Sequence, residues 1–247
     1  CLCVPFHFFA NQFCFTIKKH VKTVNKKMNK MSFFLAPIAP VRDAQGRTVT
    51  KASMIPASTA TLDQVYRFIR YNEKLKRLTE QVRSAPDFGT AKKERLPFVT
   101  PCGTFGMRKS EGLIALSGLF PIDVDKLESA EEAADLRRRI FADPYLDVRL
   151  AFVSPGGKGV KAFVPYPVGR IRNPAEEVPV FIRQAMDYVH LMYDRPGEGK
   201  DRGVDVSGKD LARACFLCHD SGVAYKGGSL SRPNTSAGNT KFVTPDL

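Results

Sequence analysis

VRLAFVSPGGKGVKAFVPY, residues 148–166, carries the strongest indication of how this chain folds. Two apolar runs, 148–153 and 160–166, contain the Val and Phe residues that strands favour. Between them lie Ser154, Pro155 and a glycine-rich run, and residues of these types form tight turns. The stretch therefore predicts two antiparallel strands joined as a β-hairpin.

A further strand is predicted just before this hairpin, in the run LIALSGLFPIDVD at 113–125. Successive side chains of a strand point to opposite faces, so Ile122 and Val124 would face the core. Asp123 and Asp125 would then share the other face, where two close carboxylates need a proton, a cation or a metal between them. Oxygen ligands of this kind suit Mg²⁺ or Mn²⁺, as at nucleotidyl- and phosphoryl-transfer sites. The alternative is an acidic strand end that faces solvent or caps a helix, because D-x-D is a common pattern.

The turn of the hairpin has the composition of a phosphate-binding loop. Its glycines let a ligand approach the backbone closely, and its lysines add positive charge. The residues concerned are Gly156, Gly157, Lys158, Gly159 and Lys161. An ordinary glycine hairpin is the alternative, and the sequence contains no Walker A loop. Asp205, a third acid later in the chain, is by itself typical of a turn.

Helices are predicted around these strands, and capping signals mark where they begin. The predicted helices are 62–83, opened by TLDQ at 61–64; 130–142, opened by SAEE at 129–132; and 174–193, opened by Asn173-Pro174. We expect an irregular lead-in at 32–60, a loop at 86–97, a last ordered element at 204–219 and a flexible tail at 227–247. Strands alternating with helices, with one hairpin, indicate an α/β or α+β domain with a mixed or antiparallel sheet.

The chain is strongly basic. Its 247 residues include 38 Lys and Arg against 25 Asp and Glu, a formal net charge of +13. Such a surplus indicates a polyanionic partner, either nucleic acid or an anionic membrane surface. The first predicted helix is loaded with Arg67, Arg70, Lys74, Lys76 and Arg77. A solvated face is the simpler interpretation of these five, and a binding face is the alternative.

Residues 1–31 differ in composition from the rest. They hold six lysines and no acid, and the lysines follow an apolar run at 1–17. A secretory signal has the opposite order, and the run is too short and too interrupted for a membrane span. We expect a non-native or disordered extension, with Met28 or Met31 as the natural start and a weak membrane anchor as the alternative.

The segment ACFLCHD at 214–220 contains C-x-x-C-H, the haem-attachment pattern of c-type cytochromes. Covalent haem needs an export signal, and zinc needs two or three more ligands than this segment offers. On a helix its three side chains would share a face, whereas on a strand Cys218 would point away from Cys215 and His219. The sequence therefore argues against haem and zinc, and its sparse cysteines predict a reducing, cytoplasmic environment.

Three stretches, in this order, carry a family resemblance: LSGLFPIDVD at 116–125, DPYLDVRLAFVSPGGKGVKAFVP at 143–165 and GVDVSGKDLARACFLCHD at 203–220. Together they resemble the N-terminal domain of the VirE-type proteins of bacterial mobile elements. That domain is similar to the primase-polymerase branch of the archaeo-eukaryotic primase superfamily. The resemblance covers about residues 32–226 and implies an α+β fold, with an RRM-like sheet, flanking helices and a site on the open face of the sheet.

The resemblance also implies roles for individual residues. Asp123, Asp125 and Asp205 would be the catalytic carboxylates and the ligands of Mg²⁺ or Mn²⁺. Nucleotide phosphates would be bound by Ser154, Gly156, Gly157, Lys158, Gly159, Lys161 and Arg213. Lys161 stands where such primases usually have a histidine, and a lysine cannot copy the geometry of a neutral imidazole.

The resulting hypothesis is metal-dependent, template-directed nucleotidyl transfer by a replication protein of a mobile element. Its partners would be nucleoside triphosphates, single-stranded or primer-template nucleic acid, and a helicase-type ATPase, with no stable membrane association. The alternative on the same fold is a non-catalytic nucleic-acid-binding domain.

Overall fold

The computed structural model describes residues 30–193, 203–205 and 210–227. Within these ranges the chain is α+β, with five α-helices and with strands that all pair antiparallel. The helices are α1 (Leu62–Tyr71), α2 (Glu73–Arg83), α3 (Phe88–Arg95), α4 (Ala130–Ala142) and α5 (Pro174–Tyr193). The strands are β1 (Lys30–Phe34), β2 (Val41–Arg42), β3 (Thr48–Thr50), β4 (Ser58–Thr61), β5 (Phe98–Thr100), β6 (Gly103–Phe105), β7 (Leu113–Leu116), β8 (Leu119–Asp125), β9 (Leu150–Val153), β10 (Val160–Pro165), β11 (Gly203–Val204), β12 (Cys215–Phe216) and β13 (Ala224–Tyr225).

The predicted hairpin is confirmed and forms the centre of a five-stranded sheet with the order β11-β8-β10-β9-β13. Strand β10 pairs with β9 on one side and with β8 on the other, and Lys161 lies opposite Asp123. The apolar run at 113–125 divides into β7 and β8 because Gly118 adopts a φ of 83°, in the left-handed region.

Alternation along β8 divides its side chains between two cores. Ile122 and Val124 are buried, as predicted, in the core that the five-stranded sheet shares with α4 and α5. Asp123 lies on the opposite face, and on that face the neighbouring strands contribute Phe152 and Phe163 to a second core. The acidic pair is therefore placed at the edge of an apolar interface.

A second sheet, with the order β12-β5-β1-β4, packs into this second core. Phe33 of β1 and Phe68 of α1 meet there at a ring-centroid distance of 5.5 Å. The segment expected to be an irregular lead-in thus supplies β1 and β4, besides the small β2–β3 hairpin. Strand β1 begins at Lys30, before the expected domain boundary, and Met31 is completely buried.

Two helix predictions need correction. The single helix expected at 62–83 is two helices, because Asn72 has an extended ψ of 110° and caps α2 by accepting the Leu75 N–H at 2.8 Å. The segment expected to be a loop at 86–97 contains α3, whose first turn is capped by Asp87 through the Thr90 N–H at 3.0 Å. The helices predicted at 130–142 and 174–193 are confirmed.

An ion pair attaches the C-terminal segment, residues 210–227, to the five-stranded sheet. Arg137 of α4 donates from Nη1 to both carboxylate oxygens of Asp220 at 2.8 Å. Asp220 also accepts the N–H groups of Val153 and Gly222, each at 2.8 Å. These bonds fix the segment that carries Arg213 and the cysteine pair.

The predicted N-terminal extension, apart from Lys30 and Met31, lies outside the described residues, as does the predicted tail beyond residue 227. Among the helices of the described ranges, none has the length and apolar character needed to cross a membrane.

Candidate functional site

Asp123 and Lys161 form an ion pair on the sheet face that meets the second core. Lys161 Nζ lies 2.7 Å from Asp123 Oδ2. Only 8% of Asp123 and 7% of Lys161 is exposed to solvent. Burial is the largest single influence and opposes the charge of Lys161, but the neighbouring acidic groups together, with Asp123 foremost, raise the pKa of Lys161. Lys161 is therefore an ammonium ion that compensates the charge of the first acid.

The predicted third acid lies beside this pair. The Asp205 N–H donates to the Asp123 carbonyl oxygen at 2.9 Å, next to the short pairing of β11 with β8. The Arg213 guanidinium makes a close ion pair with the Asp205 carboxylate. The same Nη2 atom is 3.9 Å from Asp123 Oδ2. Arg213 thus bridges the first and third predicted motifs.

Asp125 completes the group of carboxylates. Burial raises its pKa; the charge of Lys161 opposes this shift, and the carboxylates of Asp123 and Asp205 add to it. Asp123 Oδ1 is buried and has no hydrogen-bond partner among the described residues. The site therefore has one carboxylate whose ionised form is disfavoured by burial, and next to it one buried carboxylate oxygen without a hydrogen bond in the described part of the chain.

The glycine-rich turn closes over the end of β8. The Ser154 N–H donates to the Gly159 carbonyl at 2.8 Å, and the Leu127 N–H donates to the Lys158 carbonyl at 2.9 Å. A Cβ atom on Gly159 would lie 2.6 Å from the Val124 carbonyl oxygen and 3.1 Å from Asp125 Oδ1. Glycine at this position therefore allows the turn to touch the carboxylates.

The remaining predicted turn residues take different positions. A Cβ atom on Gly156 would meet the Phe88 ring at 3.3 Å, so this glycine faces α3. Gly157 has a φ of 78° and shapes the turn. The Lys158 side chain is exposed at the tip, whereas Ser154 is buried. Lys161 is the turn-region lysine that the structure brings to the carboxylates.

Two further cations at this site were missed in the sequence. Arg83, the last residue of α2, donates from Nε to the Pro155 carbonyl at 2.8 Å and so supports the turn. Lys92 of α3 is half-buried, with Nζ 5.5 Å from the ring centroids of both Phe88 and Phe216. Burial lowers the pKa of Lys92, as does the charge of Lys161, while Asp125 opposes the shift. The cap at Asp87 was the available signal for α3 and hence for Lys92.

The C-x-x-C-H segment lies next to this site as part of the core. Cys215 is in strand β12, and both Cys215 and Cys218 are buried free thiols in the second core. Cys218 Sγ donates to the Val153 carbonyl at 3.2 Å, and burial raises the pKa of Cys218 to about 12. In the part of the chain that the structure describes, no three His, Cys, Asp or Glu side chains form a group suited to a metal ion.

Comparison with known proteins gives one family match. The model of the BT4734-like, N-terminal domain family matches residues 91–225, more than half of the chain. The match begins inside α3 and spans the three carboxylates, the turn, Lys92 and Arg213. No curated protein and no solved structure matches the chain.

Proposed function

This chain belongs to the family of BT4734-like N-terminal domains, and we propose that its function is nucleotidyl transfer at a primase-polymerase-like site. In this proposal a carboxylate cluster, defined as Asp123, Asp125, Asp205, Lys161 and Arg213, binds a nucleoside triphosphate next to a nucleic-acid strand. The reaction class comes from the resemblance to VirE-type and primase-polymerase domains, and the RRM-like description of the sheet belongs to the same proposal.

The convergence of three distant segments supports the proposal. Asp123 contacts Lys161 through the 2.7 Å ion pair, and its carbonyl accepts the Asp205 N–H at 2.9 Å. These residues come from separate stretches that the resemblance treats as motifs. Charged groups with shifted pKa values that are gathered in a partly buried position are typical of functional sites.

The cations of the cluster suit a triphosphate. The planar guanidinium of Arg213 can bind a phosphate through two parallel hydrogen bonds, and Lys161 adds a point charge, as does Lys92, which lies next to the cluster. The backbone of the glycine-rich turn packs against Asp125 at Gly159. Phosphate oxygens would therefore approach the turn on its exposed side, at Gly156 and Lys158. A triphosphate would compete with Asp205 for Arg213, which would release the carboxylate.

Asp123 and Asp125 are the two side chains that we propose as ligands of a divalent cation. Two observations support this proposal: the buried Asp123 Oδ1 lacks a partner among the described residues, and burial raises the pKa of Asp125, a shift that a nearby positive charge would oppose. When bound, Mg²⁺ or Mn²⁺ would activate a 3′-hydroxyl and stabilise the leaving pyrophosphate. Asp205 is paired with Arg213, so its predicted role as a ligand depends on the exchange described above.

A second candidate function is non-catalytic binding of nucleic acid. The observation that favours it is the buried pair itself, because Lys161 already neutralises Asp123 in the position where primases usually have a histidine. In that case the net charge of +13 would provide binding through phosphate contacts alone.

A primer-extension assay tests the proposed reaction. The full chain is incubated with a labelled primer on a single-stranded template, deoxynucleotides and either Mn²⁺ or Mg²⁺. We expect primer extension that Asp125→Asn reduces by about 100-fold or more, since one charge-stabilising group contributes roughly that factor. Asp187→Asn, which changes an exposed acid on α5, is the matched control and should extend at the wild-type rate.

The two candidate functions give different results in this assay. Extension that is unaffected by Asp125→Asn would overturn the assignment of the site. Absence of extension with both metals, together with DNA binding that persists in EDTA, would establish the binding function instead.

A further inference from the structure

Three tyrosines gather where helix α1 meets strand β13, at the edge of the five-stranded sheet away from the carboxylate cluster. The Tyr66 and Tyr225 rings stack at a centroid distance of 4.6 Å and an interplanar angle of 16°. Tyr71 meets the edge of Tyr66 at 6.2 Å and 79°. Tyr71 is 61% exposed, although it is the last residue of a helix with a well-packed apolar face. We refer to Tyr66, Tyr71 and Tyr225 as the tyrosine platform.

Arginines flank this platform. The Arg70 guanidinium carbon lies 5.5 Å from the Tyr71 ring centroid, and its Nη1 donates to the Ser221 carbonyl at 2.9 Å. Arg67 is held one turn away by a 2.7 Å ion pair with Asp63. An exposed aromatic ring beside fixed arginines offers both a stacking surface for bases and charge for the backbone phosphates.

Helix α2 connects the platform to the carboxylate cluster. It begins two residues after Tyr71 and ends at Arg83, which contacts the glycine-rich turn. Its 11 residues span roughly 16 Å. Lys74 and Arg77 are exposed along it, three residues apart and so on one face. The exposed basic residues Lys74, Lys76 and Arg77 outnumber the exposed acids Glu73 and Glu80, so α2 carries a net positive charge between the platform and the proposed site of reaction.

We propose that the tyrosine platform binds single-stranded nucleic acid, with a base stacked on Tyr71 and phosphates on Arg70 and the basic face of α2. Single strands fit because their bases are open to stacking, whereas those of a duplex are not. The inference extends the proposed function by assigning the place that holds the strand. Its test needs neither a metal nor a nucleotide. A result that contradicts strand binding at the platform therefore leaves the proposed reaction at the carboxylate cluster untouched, and the reverse holds as well.

Fluorescence anisotropy with a labelled oligothymidylate, in EDTA and without nucleotide, tests the stacking. For the full chain carrying Tyr71→Ala we expect Kd to rise about 5- to 150-fold, the range for loss of one stacked base. Tyr71→Phe keeps the ring and should bind within about twofold of wild type. Leu191→Ala truncates an exposed apolar side chain on α5 and serves as the matched control, with unchanged Kd.

A salt titration of the same complex tests the phosphate contact. Arg70→Gln should reduce the slope of log K against log salt concentration by about 0.7, the value for one phosphate of a single strand. Arg183→Gln removes the same charge from the exposed face of α5 and should leave the slope unchanged.

A crosslinking experiment locates the bound strand on the protein without relying on a measured Kd. An oligonucleotide containing 5-iododeoxyuridine should crosslink to the peptide that carries Tyr71. Equal Kd values for Tyr71→Ala and Leu191→Ala, equal losses for Tyr71→Ala and Tyr71→Phe, or crosslinks confined to other peptides would each overturn the proposal. Loss of binding on Tyr71→Ala with no primer extension by wild type would uphold the platform and reject the reaction.

Discussion

Lys161 and Asp123 face each other across β10 and β8 with little solvent around them. Removing two charges from water is costly, and their mutual attraction offsets that cost only while both are present. Arg213 is a more distant cation, 3.9 Å from Asp123 Oδ2. The free energy of unfolding therefore depends on the pair rather than on either residue alone.

Lys161→Met should lower the free energy of unfolding by about 3–5 kcal/mol, because it leaves the Asp123 carboxylate buried beside a neutral side chain. Lys158→Met, three residues away at the exposed tip of the turn, is the matched control and should change it by less than about 0.5 kcal/mol. Urea unfolding followed by circular dichroism measures both.

The double variant Lys161→Met with Asp123→Val should be more stable than Lys161→Met alone, since no unpaired charge remains in the core. Additive effects of the two substitutions would contradict the coupling inferred from the 2.7 Å contact.

The turn between β9 and β10 is the element that joins the fold to the site. Its hairpin was predictable because two strand-forming runs flank a short glycine-rich segment, and a segment this short joins neighbouring antiparallel strands. Helix α3 was not, because only Ala91 of its eight residues is buried and no apolar stripe marks it. The boundary between α1 and α2 was also not predictable from the sequence, because the helical spacing of apolar residues continues on both sides of Asn72.

Gly159→Ala should destabilise the hairpin by about 1–3 kcal/mol, because its methyl group would meet the Val124 carbonyl at 2.6 Å and that carbonyl is fixed by the strand. Gly169→Ala is the control, since nothing lies within 4 Å of a Cβ atom there. Thermal unfolding of both variants compares them, and equal midpoints would show that the turn does not pack against β8 as described.

At the scale of the molecule, the four-stranded and five-stranded sheets determine how accessible the carboxylates are. The family resemblance implied one sheet with an open face, and the structure instead places a second sheet against part of that face. Strands β1, β5 and β12 are short and come from segments near residues 30, 98 and 215. Because these segments are far apart in the sequence, no local sequence pattern predicted their pairing. The acidic pair was predictable from alternation. The burial of Asp123 depends on these distant contacts, and its ion pair with Lys161 depends on the register of β8 with β10.

The arrangement of the helices also determines where the basic residues of α1 and α2 lie relative to the proposed site. Arg67 and Arg70 of α1 lie beside the tyrosine platform, and the basic residues of α2 lie between that platform and the glycine-rich turn. The helicase-type partner and the cytoplasmic location stay predictions from the sequence.

A crystal structure of the full chain with Mn²⁺ and a non-hydrolysable nucleoside triphosphate is the sharpest test of the carboxylate cluster. We predict anomalous density at bonding distance from Asp123 and Asp125, with the triphosphate against the 154–159 turn and Arg213. Triphosphate bound elsewhere, with no anomalous density at these two carboxylates, would contradict the proposed site.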